Sequence, residues 1–396
     1  MMPAPSTDIA IVGGGLAGSL VALALASRRP EVRVSLIEQG ARLGGEHIWS
    51  FFESDVGEGA ELLEPLVAAR WDGYEVHFPA HRRQLGTCYR SITSGRLDEV
   101  VRRALPQDRV LTGRKVASLG PNAVTLEDGS VIEAGAVIDA RGLHGMPHMR
   151  GGWQKFLGRM LTTATPHGLA RPIVMDATVR QVDGYRFVYA LPFSPTQVFL
   201  EDTYYSDTPG LDVPALRDRL DAYAAAQGWH VARVDYEETG VLPVIGKGDF
   251  ARFWAATGEN GTGRAGARAA LVHPLTSYSL PFALQLAIGI SALDNLSPQS
   301  LGECCHAWAL QHWRQGRFYR MLTRMLFEAS SPARRYTILE RFYRLPEPLI
   351  ERFYAGRSTR ADMMRILCGK PPVPLGRAIS SLLGSGSGLA SLELPR

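Results

Sequence analysis

Two patterns in the 396-residue chain carry residue types whose spacing can do chemistry. The first is Gly13-Gly14-Gly15-Leu16-Ala17-Gly18, which follows the apolar run 8–12 and opens an alanine- and leucine-rich stretch reaching Arg28. A β-branched run over 32–37 then ends at Glu38-Gln39. Strand, glycine turn, helix, strand and acid in this order predict a dinucleotide site. Gly13 permits the tight turn, Gly15 lets backbone N–H groups approach a pyrophosphate, and Gly18 allows close helix–strand packing. The glycine loop hands Leu16 and Ala17 to the first helical turn, and Glu38 can hold ribose hydroxyls.

The second pattern is a pair of runs, 185–191 and 196–205, read as two strands joined by a proline-containing loop. A period of two puts Phe199, Glu201 and Thr203 on one face and Val198, Leu200, Asp202 and Tyr204 on the other. Each face then carries one carboxylate among apolar or aromatic groups. Such surroundings raise a carboxyl pKa and prepare it to give up a proton near neutral pH. The competing reading is an edge strand with two solvated acids.

Further segments extend the nucleotide site. Arg42-Leu43-Gly44-Gly45 follows Glu38 and resembles the flavoprotein continuation of the motif, so FAD is expected rather than a directly bound nicotinamide. Arg96 opens an amphipathic helix with Leu97, Val100, Val101 and Leu105 on one face. An Arg there resembles the flavin hydroxylases and reductases, where it stands near the cofactor. The strand over 136–138 runs into Asp139-Ala140-Arg141-Gly142, which resembles the closing strand of the same nucleotide domain. Gly266 and Pro274 keep the spacing of a flavin-hydroxylase segment, followed by Leu275-Thr276-Ser277-Tyr278. Ala267 stands where those hydroxylases carry a ribityl-binding carboxylate, which argues against hydroxylase identity.

The ordered set Gly13–Gly18, Glu46-His47-Ile48-Trp49-Ser50-Phe51, Phe199-Leu200-Glu201-Asp202-Thr203, Glu237-Glu238-Thr239-Gly240-Val241-Leu242-Pro243 and His273-Pro274-Leu275-Thr276-Ser277-Tyr278-Ser279 resembles the bacterial lycopene β-cyclases. Leu339–Pro346 and Gly369–Pro374 are similar too, so the resemblance runs along essentially the whole chain. One departure is Ser277, where Gly is expected after the Thr.

The resemblance implies acid-catalysed cyclisation of the ends of lycopene and other acyclic carotenoids to β-ionone rings, without net redox change. It implies FAD, reduced in the active form, and NAD(P)H as the electron source. It makes Glu201 the general acid with Asp202 in reserve, and either Glu237 or Glu238 the second half of a proton relay. His47 and Trp49 could line the flavin pocket. Trp49, Phe187, Tyr189 and Phe199 offer aromatic faces to a cationic substrate. The alternatives are a flavin-dependent hydroxylase and a geranylgeranyl-type reductase, both acting on a lipophilic substrate.

Composition bounds the rest. The net charge of +4 is too small to argue for nucleic acid, but residues 301–396 hold 15 Lys/Arg against 7 Asp/Glu. That asymmetry suggests an anionic surface such as a membrane leaflet. Leu322, Met325 and Leu326 share one helical face, and Arg317, Arg320 and Arg324 another. This predicts an interfacial helix, or else a core helix under the substrate cavity. The uncharged stretch 269–293 is long enough to span a bilayer but carries His273, Pro274 and Pro281, which argue against it. Four cysteines without a CxxC pair suggest a reduced compartment and no metal site. The apolar run 16–26 lacks a preceding basic region and is not read as a signal peptide. The 384–387 Gly-Ser-Gly-Ser stretch reads as flexible. The expected protein is therefore peripheral, on the cytoplasmic side of a membrane.

The expected fold is α/β: a Rossmann-like FAD-binding domain (1–150 and 240–300), an inserted antiparallel-sheet substrate domain (151–239), and a helical, basic region (301–396).

Overall fold

A computed structural model describes residues 7–143, 145–259, 261–368 and 389–393. The 369–374 motif and the 384–387 stretch lie outside the described residues. The strand Thr7–Val12 is apolar and buried, and it pairs in parallel with both Val34–Ile37 and Val131–Asp139. These are the central strands of a sheet completed by Val110–Leu111, Ala123–Leu126, Val116–Leu119 and Gly263–Arg264. The helix Leu16–Arg28 is almost wholly buried because it is wedged against the sheet and the helix Leu280–Ser291. Each fully buried Leu or Val here contributes roughly 1.5–3 kcal/mol.

The second sheet has the order Val231–Gly248, Met149–Thr163, Gln197–Ser206, Tyr185–Ser194, Ile173–Asp176, Tyr74–Phe78 and His81–Leu85, and Ala390–Ser391 also pairs with Met149–Thr163. It does not follow the expected boundaries. Strands Tyr74–Phe78 and His81–Leu85 come from the 1–150 segment yet pair into this sheet, and Val231–Gly248 runs unbroken across position 240. Backbone pairing, rather than chain order, decides membership: an unpaired strand edge inside the protein would leave N–H and C=O groups unsatisfied. A three-stranded sheet of Ile48–Phe52, Tyr89–Thr93 and Ala69–Trp71 lies in the connecting segment.

The region after 297 is helical, from Pro298–Gln315 to Arg360–Leu367. The stretch 269–293 is broken into a 3₁₀ turn at Gly266–Ala269, a loop, and the 12-residue helix Leu280–Ser291. No helix among the described residues is long and apolar enough to cross a membrane. In Arg317–Arg324 and the π-helical turn Met325–Ala329 that follows, Leu326 is buried, and the half-buried Leu322 and Met325 line a cavity. Arg320 donates to the Trp313 carbonyl and lies over that indole ring at 3.7 Å. The interfacial reading of this helix is thus corrected to that of a cavity wall. Amphipathic periodicity shows only that one face is apolar, and here that face lines a cavity.

Candidate active site

The glycine loop has the shape its sequence predicts. Gly13 has φ +107°, and a Cβ there would come within 2.7 Å of the Ala140 carbonyl. At Gly18 it would come within 2.0 Å of the Gly13 oxygen. A Cβ at Gly15 would meet nothing within 4 Å, so open space lies over the loop at the first turn of Leu16–Arg28. Glu38 is fixed by two backbone donors, Gly14 N–H to Oε2 and Gly40 N–H to Oε1, both 2.7 Å. A carboxylate keeps acceptor capacity beyond these two bonds. Gly266, at φ +61°, brings its own chain against Ala17, which joins the 266–278 segment to the helix start. The Thr276 hydroxyl there is buried without a partner. Ser277 adopts φ +59°, the conformation for which Gly is expected. Its hydroxyl donates to the Pro243 carbonyl at 2.8 Å, which offsets part of the roughly 1–2 kcal/mol cost of that backbone.

These features fit a flavin dinucleotide. The backbone of Gly13, Gly15, Leu16, Ala17 and Gly18 would hold the pyrophosphate, and Glu38 with Gln39 the ribose. Arg42, Gly45 and Gly142 are exposed at the rim, and Thr276, Ser277 and Tyr278 stand beyond Gly266. Several other expected contributors are committed elsewhere. Asp139 is buried, with both carboxylate oxygens taken by Arg141 and with Arg268 beside it, so Asp139 and Arg141 brace the loop. Arg96 donates to the Pro65 carbonyl and to Glu99. The Pro274 carbonyl accepts from Ile245 N–H and the Thr323 hydroxyl, a packing role.

The acidic face lies on the second sheet. Strand alternation sends Phe199 toward one apolar cluster and Val198, Leu200 and Tyr204 toward another, as the period of two predicts. Asp202 is fully buried on the latter face. It accepts from Arg186 Nε at 2.7 Å and the Tyr204 hydroxyl at 2.5 Å. Burial raises its pKa, and Arg186 opposes that rise. Its role as reserve acid is therefore corrected: a carboxylate bound to a buried guanidinium on the opposite face cannot replace Glu201.

Glu201 sits deep among protein atoms yet keeps some accessible surface. Burial pushes its carboxyl up to about 8, and the Glu238 carboxylate adds to the rise. The Thr203 hydroxyl donates to it at 2.6 Å. The strand between Glu201 and Glu238 places Gly158 opposite both. Glu238 is buried; its Oε2 accepts the Ile48 N–H at 3.2 Å and is hydrogen-bonded with His47 Nδ1 at 3.1 Å. Glu237 faces the other way, onto Arg159 and Arg217, so of the two glutamates only Glu238 belongs to the site.

Tyr189 lies opposite Glu201 on the neighbouring strand. Its hydroxyl is 3.5 Å from that of Tyr278, which is 3.3 Å from that of Tyr89. Tyr278 packs on Tyr354 at 5.7 Å, and Tyr354 lines the cavity with Tyr185, Leu322, Met325, Phe342 and Leu367. The expected substrate contact of Phe187 is corrected: it is fully buried between Tyr185 and Tyr189 and acts as packing. Trp49 packs 5.9 Å from His47 and over Gly44. Sequence reasoning missed Gly158, Tyr89 and Tyr354. The one local signal was a glycine inside the strand run Phe156-Leu157-Gly158-Arg159-Met160, which marks a close approach.

A Rossmann-type sheet joined to a larger, mostly antiparallel sheet, with a nucleotide loop and a buried acid, defines an α/β protein of the flavoprotein fold class. The geranylgeranyl bacteriochlorophyll reductase-like protein of Thermoplasma acidophilum shares this fold, with a TM-score of 0.58 and 12% identity over 96% of this chain and 98% of that one. The family model described as lycopene cyclase protein matches residues 8–380. The chain is 46% identical to the lycopene beta-cyclase of Pseudescherichia vulneris, over 94% of this chain and 96% of the relative. It is 45% identical to that of Paracoccus sp., over 95% and 97%. The chain belongs to the lycopene cyclase family.

Proposed function

We propose that this protein is a lycopene β-cyclase, an enzyme that closes the acyclic ends of lycopene into β-ionone rings by acid catalysis without net redox change. The observation that carries the chemistry is Glu201, a carboxyl that burial pushes up to about 8, opposite Tyr189, whose hydroxyl neighbours that of Tyr278, which in turn packs on the cavity residue Tyr354. Glu201 gives its proton to the terminal double bond. The next double bond closes the six-membered ring by attacking the resulting cation. Loss of a ring proton forms the new double bond, and return of that proton to the Glu201 carboxylate restores the acid. The rings of Tyr189, Tyr278 and Tyr354 present negative faces toward developing positive charge. The apolar cavity excludes water that would otherwise trap the cation. FAD is the cofactor we assign to the glycine loop, with NAD(P)H as its electron source. Reduced and bound there, it would supply an electron-rich anionic ring system able to stabilise cationic character.

The substrate is insoluble in water, so we place the protein peripherally on the cytoplasmic leaflet, drawing carotenoid from lipid. What supports this is the helix Arg360–Leu367, where Ile366 and Leu367 line the cavity. Met364 is 62% and Leu367 42% exposed, beside exposed Arg360 and Arg365. An apolar tip flanked by arginines suits an anionic leaflet.

The experiment is anaerobic incubation with lycopene, FAD and dithionite, read by product analysis. Cyclic carotenoid formed without nicotinamide is the expected result. Stoichiometric nicotinamide oxidation per product would instead place the protein among the reductases.

A further inference from the structure

Glu201 and Glu238 are carried by strands that are not neighbours. Met149–Thr163 runs between them, and adjacent strands lie about 4.8 Å apart. A side chain on the middle strand would ordinarily separate two such groups. Here the residue facing both is Gly158, and a Cβ built there would meet the Phe199 ring at 2.4 Å and Glu238 Cγ at 3.2 Å. The Phe199 ring therefore covers Gly158, and nothing projects from Gly158 itself between the two acids.

Their hydrogen bonds differ. Glu238 Oε2 accepts the Ile48 backbone N–H and shares a hydrogen bond with the His47 ring, which donates to it when Nδ1 carries the proton. Glu201 accepts one neutral hydroxyl, from Thr203. N–H donors favour a carboxylate, and two neighbouring buried carboxyls resist ionising together. Burial raises the pKa of both carboxyls, and this difference in donors favours the anion on Glu238 and the proton on Glu201.

We propose that Glu238, held as the anion by His47 and Ile48, is the positioning residue that keeps the reactive proton on Glu201, acting across Gly158, over which the Phe199 ring lies. This rests on the reading of Glu201 as the acid. His47 is the solvent-facing end of the arrangement, its side chain 47% exposed. The other titratable groups acting on the pair are Asp202, Glu46 and the phenols of Tyr89, Tyr189 and Tyr236. Asp202 is paired with Arg186 on the opposite face, while Glu46 adds negative potential on the Glu238 side.

The test is the pH profile of kcat on lycopene-loaded vesicles with reduced FAD, for the full chain. Glu238→Gln keeps an acceptor for Ile48 N–H and removes the charge. Its alkaline limb is expected to move toward acid by about one pH unit or more. A uniform fall at every pH, with the limb unmoved, would show a structural role and overturn the proposal. His47→Ala removes one donor, lets the proton settle on Glu238, and should lower plateau kcat about tenfold; an unchanged plateau also overturns it. In the double variant, His47→Ala should cost nothing further, because its effect passes through the Glu238 charge. Glu201→Gln separates the two readings. If it retains turnover, the acid itself is misassigned. If it is silent while the Glu238→Gln limb stays put, only the role of Glu238 fails.

Discussion

Glu201 and Asp202 are chain neighbours that open on opposite faces of one strand, the first toward the aromatic site and the second onto Arg186. Their substitutions should therefore fail in different ways. Glu201→Gln should cut cyclisation by at least about a hundredfold, the scale of a general acid, with flavin binding and melting temperature retained. Asp202→Asn leaves the buried Arg186 without its counter-charge and should cost about 3–5 kcal/mol of stability. Turnover per folded molecule is retained. Denaturant melts alongside product analysis distinguish the two.

Gly158→Ala tests the side-chain-free position by volume. The new methyl must displace the Phe199 ring, and overpacking of this kind costs roughly 1–3 kcal/mol. Cyclisation should fall more than stability does, since the displaced ring lies beside both acids. A variant with wild-type turnover and melting temperature would show that the strand relaxes freely there.

The glycine loop offers a separation of fold from cofactor. Gly15→Val enters open space and should leave the melting temperature of the flavin-free protein unchanged, yet weaken FAD binding about tenfold or more. Gly18→Val meets the Gly13 oxygen and should destabilise the fold itself. Flavin titration beside thermal melts checks both.

The helix Arg360–Leu367 is the expected contact with lipid. Replacing Arg360 and Arg365 with Gln should weaken binding to anionic vesicles by about 2 kcal/mol, roughly thirtyfold. Met364→Ser with Leu367→Ser should reduce binding to neutral and anionic vesicles alike. Vesicle flotation reads both, and an Arg317→Gln, Arg324→Gln protein serves as the comparison, expected to float nearly as wild type.

Acid should destabilise the protein through two buried imidazoles. Burial pushes His273 down to about 3 and His312 down to about 4. His273 Nδ1 accepts Leu275 and Thr276 N–H, so a proton there would face two donors. The unfolded chain binds these protons below about 6.5 while the folded one refuses them, so stability falls as pH drops from about 6.5 toward 4. Unfolding free energies at pH 7 and pH 5 measure the slope. His273→Gln should lower stability at pH 7 and flatten the slope.

The chain's own sequence was enough to locate the nucleotide loop, because every requirement of that turn is local: Gly13, Gly15 and Gly18 act within one strand–helix junction. It was also enough to divide Glu201 from Asp202, since side chains on a strand alternate whatever packs on them. Which face met Arg186 and which met the aromatic site depended on two other strands and was not legible. The pairing of Glu201 with Glu238 through Gly158 required the register of three strands whose residues lie far apart in the chain. The helix carrying Leu322, Met325 and Leu326 shows the same limit, because an apolar stripe is favoured equally by lipid and by a cavity wall. Only the tertiary structure, which set Leu322, Met325 and Leu326 along one cavity with Ile366 and Leu367, decided that this stripe is a cavity wall, because what lies opposite a helix face is fixed by segments remote in the chain.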